Sequence, residues 1–259
     1  MVIKEYLKLL RKYKTGIALS GGGARGIAHM GVLKALNEEG IYPEVIAGVS
    51  AGAIAGAFYA DGKDPDEVLE IFKKNKIYSF VSLTVPKTGL MRISGMREML
   101  KKNLNARRFE DLKIPLYVAA SELETGKLEV FHQGELVERI IASSSIPILF
   151  TPAHLDGKTY VDGGVFQNLP VDSIAKKCRK MIGVHVNPPT EESNFNSLFR
   201  VAERTFHLSF ATDVDRSKEK CDLFIEPQGL KEYGLLAVSK AQEIFDIGYH
   251  ETKKILQED

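Results

Sequence analysis

The chain has little cysteine and almost no net charge, and both shortages exclude whole classes of protein. Its 259 residues include only two cysteines, Cys178 and Cys221, which are too few for a disulfide framework and fit a reducing compartment. The formal charge of +1 gives no strong field that would attract nucleic acid. Internal repeats, low-complexity tracts and a recognisable signal peptide are also missing, so we expect one cytoplasmic domain over residues 1–259.

Long hydrophobic runs are scarce as well. Residues 41–60 have the length of a membrane span, but Pro43, Glu44 and the small residues around Ser50 favour a strand, a turn and a helix. Residues 1–14 place apolar side chains at helical spacing with lysines on the other faces, which predicts an amphipathic helix. We expect this helix to cap the domain. The alternative is that the helix makes a peripheral contact with the anionic surface of the inner face of a membrane.

A serine flanked by small residues stands inside the 41–60 run. Gly48-Val49-Ser50-Ala51-Gly52 reads Gly-x-Ser-x-Gly, in which Gly48 and Gly52 permit a sharp strand-to-helix turn that presents the hydroxyl. A chain with this much glycine contains the pattern by chance in roughly one case in ten. By itself, the pentapeptide therefore fits a close-packed turn as well as a nucleophile.

A second glycine-rich segment lies one strand earlier. The apolar residues 15–20 end in Gly21-Gly22-Gly23-Ala24-Arg25-Gly26, and helical periodicity begins at once and stops at Gly40. This arrangement points backbone N–H groups at an anion, and the amides of Gly22, Gly23 and Ala24 are the expected donors. Arg25 either adds a positive charge near the anion or caps a neighbouring helix.

Nucleotide phosphates fit this loop poorly. A P-loop needs Gly-Lys-Ser/Thr at the start of the helix, whereas Gly26 is followed by Ile27-Ala28. The loop matches Gly-x-Gly-x-x-Gly, but Glu44 precedes the next strand instead of following it, as a dinucleotide fold would require. The oxyanion of an acyl-transfer reaction fits better because the serine turn follows on the next strand.

A third candidate feature is Asp162-Gly163-Gly164, which follows an Asp-Gly hairpin signal at residues 156–157. Two arrangements with Ser50 remain open from the residues alone. In the first, Asp162 orients a later histidine, His185 or His207, that acts as the base. In the second, Asp162 itself contacts Ser50, which requires a dry site because a carboxylate is a poor base for an alcohol.

Elsewhere, apolar strand candidates alternate with helix candidates, which predicts an α/β fold around a largely parallel sheet. The three serines at 143–145 close one helix, and we expect them to form helix-end hydrogen bonds. Residues 77–92 are apolar without periodicity and fit either a mobile flap over an apolar site or a small satellite core.

Taken in order, these segments resemble the blocks of the patatin-like phospholipases. The glycine loop is similar to the family's oxyanion block, residues 48–52 to its nucleophile elbow, residues 142–152 to its third block, and Asp162-Gly163-Gly164 to its aspartate block. The resemblance implies a three-layer α/β/α fold, a Ser50–Asp162 dyad, and no catalytic histidine, metal or cofactor. It also implies that Gly163 and Gly164 support the aspartate loop.

The resemblance further implies a serine acyl hydrolase that cleaves carboxylic ester bonds of lipids through an acyl-enzyme intermediate. A lipid or another acyl ester is then the expected partner, with no nucleic acid. The alternative hypothesis is a non-catalytic lipid-binding protein at the membrane surface, which would use the same apolar cleft without forming a bond to Ser50.

Overall fold

A computed structural model describes residues 8–74, 82–83, 91–190, 201, 204–205, 208 and 213–258. Within these residues, no helix combines the length and apolarity that a bilayer span requires. Residues 1–7 of the expected N-terminal helix and most of the expected flap at 77–92 lie outside the described residues.

Eight strands form one twisted sheet with the order β10-β9-β1-β2-β5-β8-β7, and β6 pairs with the other edge of β5. β1, β2, β9 and β10 run parallel to one another and to β5, while β6, β7 and β8 are antiparallel additions. These strands are β1 Tyr13–Leu19, β2 Val45–Gly48, β5 Leu116–Glu122, β6 Lys127–Phe131, β7 Ala153–Leu155, β8 Lys158–Asp162, β9 Cys178–Val184 and β10 Leu223–Ile225. A separate antiparallel pair consists of β3 Ser82–Leu83 and β4 Met91–Arg92.

Two strands meet end to end on one edge of β5. β2 pairs with residues 116–118 of β5, and β8 pairs in the opposite direction with residues 120–122. β6 occupies the opposite edge of β5 from residue 118 onward. β2 and β8 therefore both lie on the remaining edge of β5. Their carboxyl ends, Gly48 opposite Val118 and Asp162 opposite Ala120, therefore point at each other across a short gap.

The strand pleat divides the interior into two layers of core on opposite faces of the sheet. The larger core packs six helices against inward residues such as Leu19 and Ile46. The smaller core lies under short 3₁₀ turns at Val171–Ser173 and Ala175–Lys177, where Ala18 and Ala47 face it. These six helices are α1 Ala28–Glu38, α2 Ala51–Ala60, α3 Pro65–Lys74, α4 Ser94–Asn103, α5 Leu136–Ser143 and α6 Ala241–Glu258. Residues 213–218 are also helical and place Val214 in the smaller core.

The α/β class, the largely parallel sheet and the Asp-Gly hairpin are confirmed. The hairpin turn uses a positive φ at both Asp156 (50°) and Gly157 (80°). The prediction of a helix over residues 1–14 is wrong at its carboxyl end, because Tyr13 and Lys14 belong to β1. Tyr13 is 8% exposed and pairs with Cys178 of β9, and this burial in the sheet outweighs the helical pattern.

Candidate active site

Ser50 sits in a strained turn between β2 and α2. Its backbone has φ 52° and ψ −121°, a region that side chains other than glycine rarely adopt. The turn fits because Gly52 has no side chain: a Cβ at that position would lie 2.2 Å from the carbonyl oxygen of Leu19. The sharp turn presents the Ser50 side chain at the carboxyl end of the sheet, as a nucleophile elbow does.

Ser143, the last residue of α5, ties the elbow to β5. Its hydroxyl accepts a hydrogen bond from Ser50 N at 2.9 Å and donates one to Ala119 O at 2.6 Å. Ser143 is fully buried, so no water competes for these bonds. Ser144 and Ser145 instead donate to Ile140 O and Ile141 O of their own helix, as expected for helix-end serines.

Asp162 lies beside Ser50 as the last residue of β8. One carboxylate oxygen, Oδ1, accepts a hydrogen bond from Gly164 N at 2.8 Å. Oδ2 is buried and has no hydrogen-bond partner among the described residues. The Ser50 hydroxyl approaches the carboxylate closely enough to lower its pKa, but no hydrogen bond of regular geometry closes between them.

Burial controls the protonation of this carboxyl. Asp162 is 1% exposed, and its removal from water raises the pKa from the ordinary 3.8 to about 7, although Ser50 and the Gly164 N–H both act to lower it. Gly163 permits this close packing because a Cβ there would lie 2.3 Å from Ala119 O. A carboxylate with a pKa near neutrality is well placed to take and return a proton at physiological pH.

The glycine loop passes the other side of Ser50 and starts a 3₁₀ turn at Gly23–Ile27 that leads into α1. Ala24 N donates to Leu235 O at 2.8 Å and Gly21 N to Asn168 O at 3.2 Å, so these two amides are engaged. Within the described residues, the amides of Gly22, Gly23 and Ala51 have no recorded partner. Of the donors expected from the sequence, Ala24 is therefore occupied, while Gly22 and Gly23 are available.

Arg25 turns away from Ser50 and takes the second of the two roles expected for it, because it binds the residue that caps the C-terminal end of the 3₁₀ helix Gln228–Glu232. Its Nε donates to Tyr233 O at 2.5 Å and its Nη1 to Asn187 Oδ1 at 3.5 Å. Together with Asn187 and His185, it lines a second, polar pocket. The glycine loop thus brings its backbone, and not this guanidinium, to the serine.

The histidines considered as bases lie elsewhere or outside the described residues. His185 Nδ1 is 2.9 Å from Glu226 Oε1, and His207 is not described. His29 is fully buried, and its Nε2 lies 2.9 Å from Ser20 O, so this nitrogen carries the proton that the carbonyl accepts. Burial lowers the pKa of His29 to about 4, which keeps the ring neutral.

An apolar cleft of about 880 Å³, including the part that opens to solvent, begins at Ser50. Ser50 and Ser144 carry the only polar side chains among its described lining residues, and none of these is charged. Much of its wall consists of Ile54, Met96, Met99, Leu149, Phe150 and Leu235. No group of three or more His, Cys, Asp or Glu suited to a metal ion occurs in the part of the chain that the structure describes.

Sequence reasoning missed Ser143 and the engaged amide of Ala24. Ser143 carries no local signal that distinguishes it from Ser144 and Ser145, because its partners lie 93 and 24 residues away. The partner of Ala24 is equally remote, on the segment that leads into α6. Both assignments required the tertiary contacts.

Fold and site together define an α/β protein with a serine elbow, a facing glycine loop and an apolar cleft. A sequence profile of the patatin-like phospholipase family matches residues 17–175, and the chain belongs to this family. The matched range contains the glycine loop, the elbow and the Asp162 loop.

Relatives and a solved structure agree with this assignment. The chain is 26% identical over 282 residues to the lysophospholipase NTE1 of Saccharomyces cerevisiae, covering 96% of this chain and 17% of that protein. It is 34% identical over 165 residues to an NTE family protein of Mycobacterium tuberculosis, covering 62% and 46%. The chain thus spans about a fifth or less of the NTE1 relatives it matches. The crystal structure of VipD from Legionella pneumophila has the same fold, with a TM-score of 0.57 at 16% identity over 95% of this chain and 67% of that chain.

Proposed function

We propose that the protein is a serine acyl hydrolase that cleaves carboxylic ester bonds of lipids through a Ser50–Asp162 dyad. The observation that carries the proposal is a strained serine beside a buried carboxyl whose pKa burial raises to about 7, at the start of an apolar cleft. Lysophospholipase activity of the NTE1 relatives supports a lipid ester as substrate, although this chain matches only a small part of those proteins.

Acylation follows from these positions. Asp162 takes the hydroxyl proton while Ser50 Oγ bonds to the ester carbonyl carbon, and the carbonyl oxygen becomes an oxyanion. The free amides of Gly22, Gly23 and Ala51 are the proposed donors to this oxyanion, the last because it directly follows the nucleophile. The alcohol then leaves with the proton from Asp162, and an acyl-Ser50 ester remains.

Deacylation repeats the same proton movements with water. Asp162 takes a proton from a water molecule, whose oxygen bonds to the acyl carbon as the bond to Ser50 Oγ breaks. Ser50 regains its proton and the carboxylic acid leaves. During both steps the acyl chain occupies the cleft, whose described lining holds no charged side chain and suits a hydrocarbon chain.

The test is hydrolysis of a chromogenic acyl ester by the wild type, Ser50→Ala and Asp162→Asn. Each substitution should lower kcat/KM by at least about a thousandfold, because one member of a catalytic unit supports little without the other. Near-normal hydrolysis by either variant would contradict the dyad. Circular dichroism and thermal unfolding should show that both variants are folded.

A fluorophosphonate probe separates the hydrolase from the alternative of a lipid binder. An activated Ser50 oxygen bonds to the probe's phosphorus and fluoride leaves, whereas a binder without an activated serine stays unlabelled. Ser145→Ala is the matched control, because this serine is buried and its hydroxyl donates to Ile141 O of its own helix. Its labelling should equal that of the wild type.

A further inference from the structure

Two exposed apolar side chains flank the cleft that begins at Ser50. Ile148 is 52% exposed and lies between Ile146 and Leu149, which form one wall of the cleft. Leu236 is 42% exposed and lines the cleft itself, and the preceding Leu235 O accepts a hydrogen bond from Ala24 N of the glycine loop. We call Ile148 and Leu236 the rim.

Ile148 combines exposure with backbone strain. Its φ of 72° lies in the left-handed region, which is unfavourable for a β-branched residue. The conformation persists because the residues on both sides are held: Phe150 N donates to Ile146 O at 2.9 Å, and Leu149 and Phe150 are buried. The fold thus stabilises an unfavourable conformation that leaves about half of an isoleucine exposed to solvent.

The rim is continuous with the lining of the cleft. Among the described lining residues, no charged side chain separates the rim from Ser50, so an acyl chain can pass from an apolar phase into the cleft without crossing a charged group. Two further exposed apolar residues, Leu123 and Phe166, directly follow β5 and the Asp162 turn at the same end of the sheet.

We propose that the rim docks on a lipid surface, with Ile148 inserted among the acyl chains and the cleft open toward them. This proposal rests on the proposed function, since it states that the lipid substrate of that site is taken from a lipid surface. Insertion gives the exposed isoleucine the apolar surroundings that the folded chain does not supply.

A different exposed apolar pair, Leu9 and Leu10, lies before β1 among exposed lysines such as Lys12 and Lys14. These residues are at the amino end of a seven-residue strand whose carboxyl end leads to the glycine loop, about 20 Å away. Docking of a membrane there would leave the cleft at the far end of the sheet. The structure therefore favours the rim as the productive surface.

The experiment compares the wild type with Ile148→Gly and the matched control Leu10→Gly on two substrates. One substrate is a phospholipid in vesicles of phosphatidylcholine with one-fifth phosphatidylglycerol, and the other is a short-chain chromogenic ester below its aggregation concentration. Ile148→Gly should lower vesicle hydrolysis and vesicle cosedimentation about tenfold, the effect of removing one exposed apolar anchor. Its hydrolysis of the monomeric ester should stay within twofold of wild type.

Thermal unfolding provides a second readout. Ile148→Gly should unfold at the same temperature or higher, because glycine adopts this φ freely. A lowered midpoint, or equal losses on both substrates, would mean that Ile148 supports the cleft itself and would overturn the docking proposal. So would unchanged vesicle hydrolysis, or a larger loss in Leu10→Gly. Loss of the proposed function is distinct, because the wild type would then hydrolyse neither substrate.

Discussion

The two ends of the central sheet differ in backbone strain and in the pairing of their polar groups. At the carboxyl end, Ser50 and Ile148 hold positive φ, and Asp162 Oδ2 and His29 Nδ1 are buried without partners among the described residues. At the amino end, polar groups are paired and exposed: Lys8 Nζ lies 2.5 Å from Asp222 Oδ1, and Lys14 N donates to Glu44 Oε2 at 2.7 Å.

The difference indicates that the carboxyl end of the sheet serves function and the amino end serves folding. Strain and unpaired buried groups cost free energy, and chains generally retain them where a reaction or a ligand uses them. Among the described residues, none of these unpaired buried atoms lies at the amino end, in keeping with a role in closing the fold. Substitutions within the catalytic turns of the carboxyl end should therefore alter activity and stability together, whereas those at the amino end should leave activity unchanged.

The largest expected effect is that of Gly52→Ala. Its new methyl group would lie 2.2 Å from Leu19 O, a backbone atom that cannot move without shifting β1. We expect a loss of about 3–5 kcal/mol in the free energy of unfolding, measured by urea denaturation, and loss of fluorophosphonate labelling.

Gly40→Ala is the matched change at the amino end. Gly40 has φ 72° and no atom within 4 Å of its Cβ position, so only backbone strain opposes the substitution. We expect a cost of about 1 kcal/mol and normal labelling. If Gly40→Ala were as costly as Gly52→Ala, the contrast between the two ends would be lost.

The next effect concerns the dependence of stability on pH. The pKa of Asp162 is raised by burial from 3.8 to about 7, so between these values the folded chain binds one proton more than the unfolded chain. Stability must therefore fall as pH rises through this window, by about 4 kcal/mol in total for this group. Asp162→Asn cannot ionise and avoids the loss.

Urea unfolding at pH 5, 6, 7 and 8 measures this difference. The stability of Asp162→Asn relative to wild type should grow with pH and level off above about 7, while its activity is lost. Asp172→Asn is the control, because Asp172 is an exposed partner of Lys220 and should change stability by less than about 1 kcal/mol at every pH. A difference for Asp162→Asn that did not vary with pH would contradict the buried, ionising carboxyl.

Much of this site followed from short sequence patterns, because its parts are local turns. The glycine loop, the serine turn and the Asp-Gly hairpin are each fixed by residues whose backbone freedom is readable in the sequence. Their meeting point was not readable from the residues alone. It depends on β8 running antiparallel on the same edge of β5 as β2. The residues alone left a direct contact between Asp162 and Ser50 as one of two arrangements, and only the family resemblance selected it.

The conformations of some single residues could not be predicted from the sequence for a related reason. Arg25 was expected beside the anion or at a helix end, and it binds the end of a 3₁₀ helix. Its partners, Tyr233 O and Asn187, lie 208 and 162 residues away, so the sequence could not choose between the two roles. The strain at Ile148 is equally invisible, because isoleucine predicts a strand and not a left-handed turn. Long-range contacts outweigh local preference at both positions.

The smallest effect, and the sharpest comparison, comes from two equivalent hydrogen bonds at opposite ends of the sheet. In each, a side-chain oxygen accepts from a backbone N–H: Ser143 Oγ from Ser50 N at 2.9 Å, and Glu44 Oε2 from Lys14 N at 2.7 Å. Water can replace Glu44, which is exposed, but cannot reach Ser50 N. Ser143→Ala should cost about 2 kcal/mol in urea unfolding, and Glu44→Ala less than 1 kcal/mol.

Activity should separate the pair further. Without Ser143, the strained elbow loses the bond that fixes its N–H, so Ser50 Oγ should sample positions away from Asp162 and kcat should fall about tenfold to a hundredfold. KM should change little, because Ser143 does not line the cleft. Glu44→Ala should leave both constants at wild-type values. Equal kcat in the two variants would mean that the elbow is held by its glycines alone, and the buried hydrogen bond would then serve stability and not positioning.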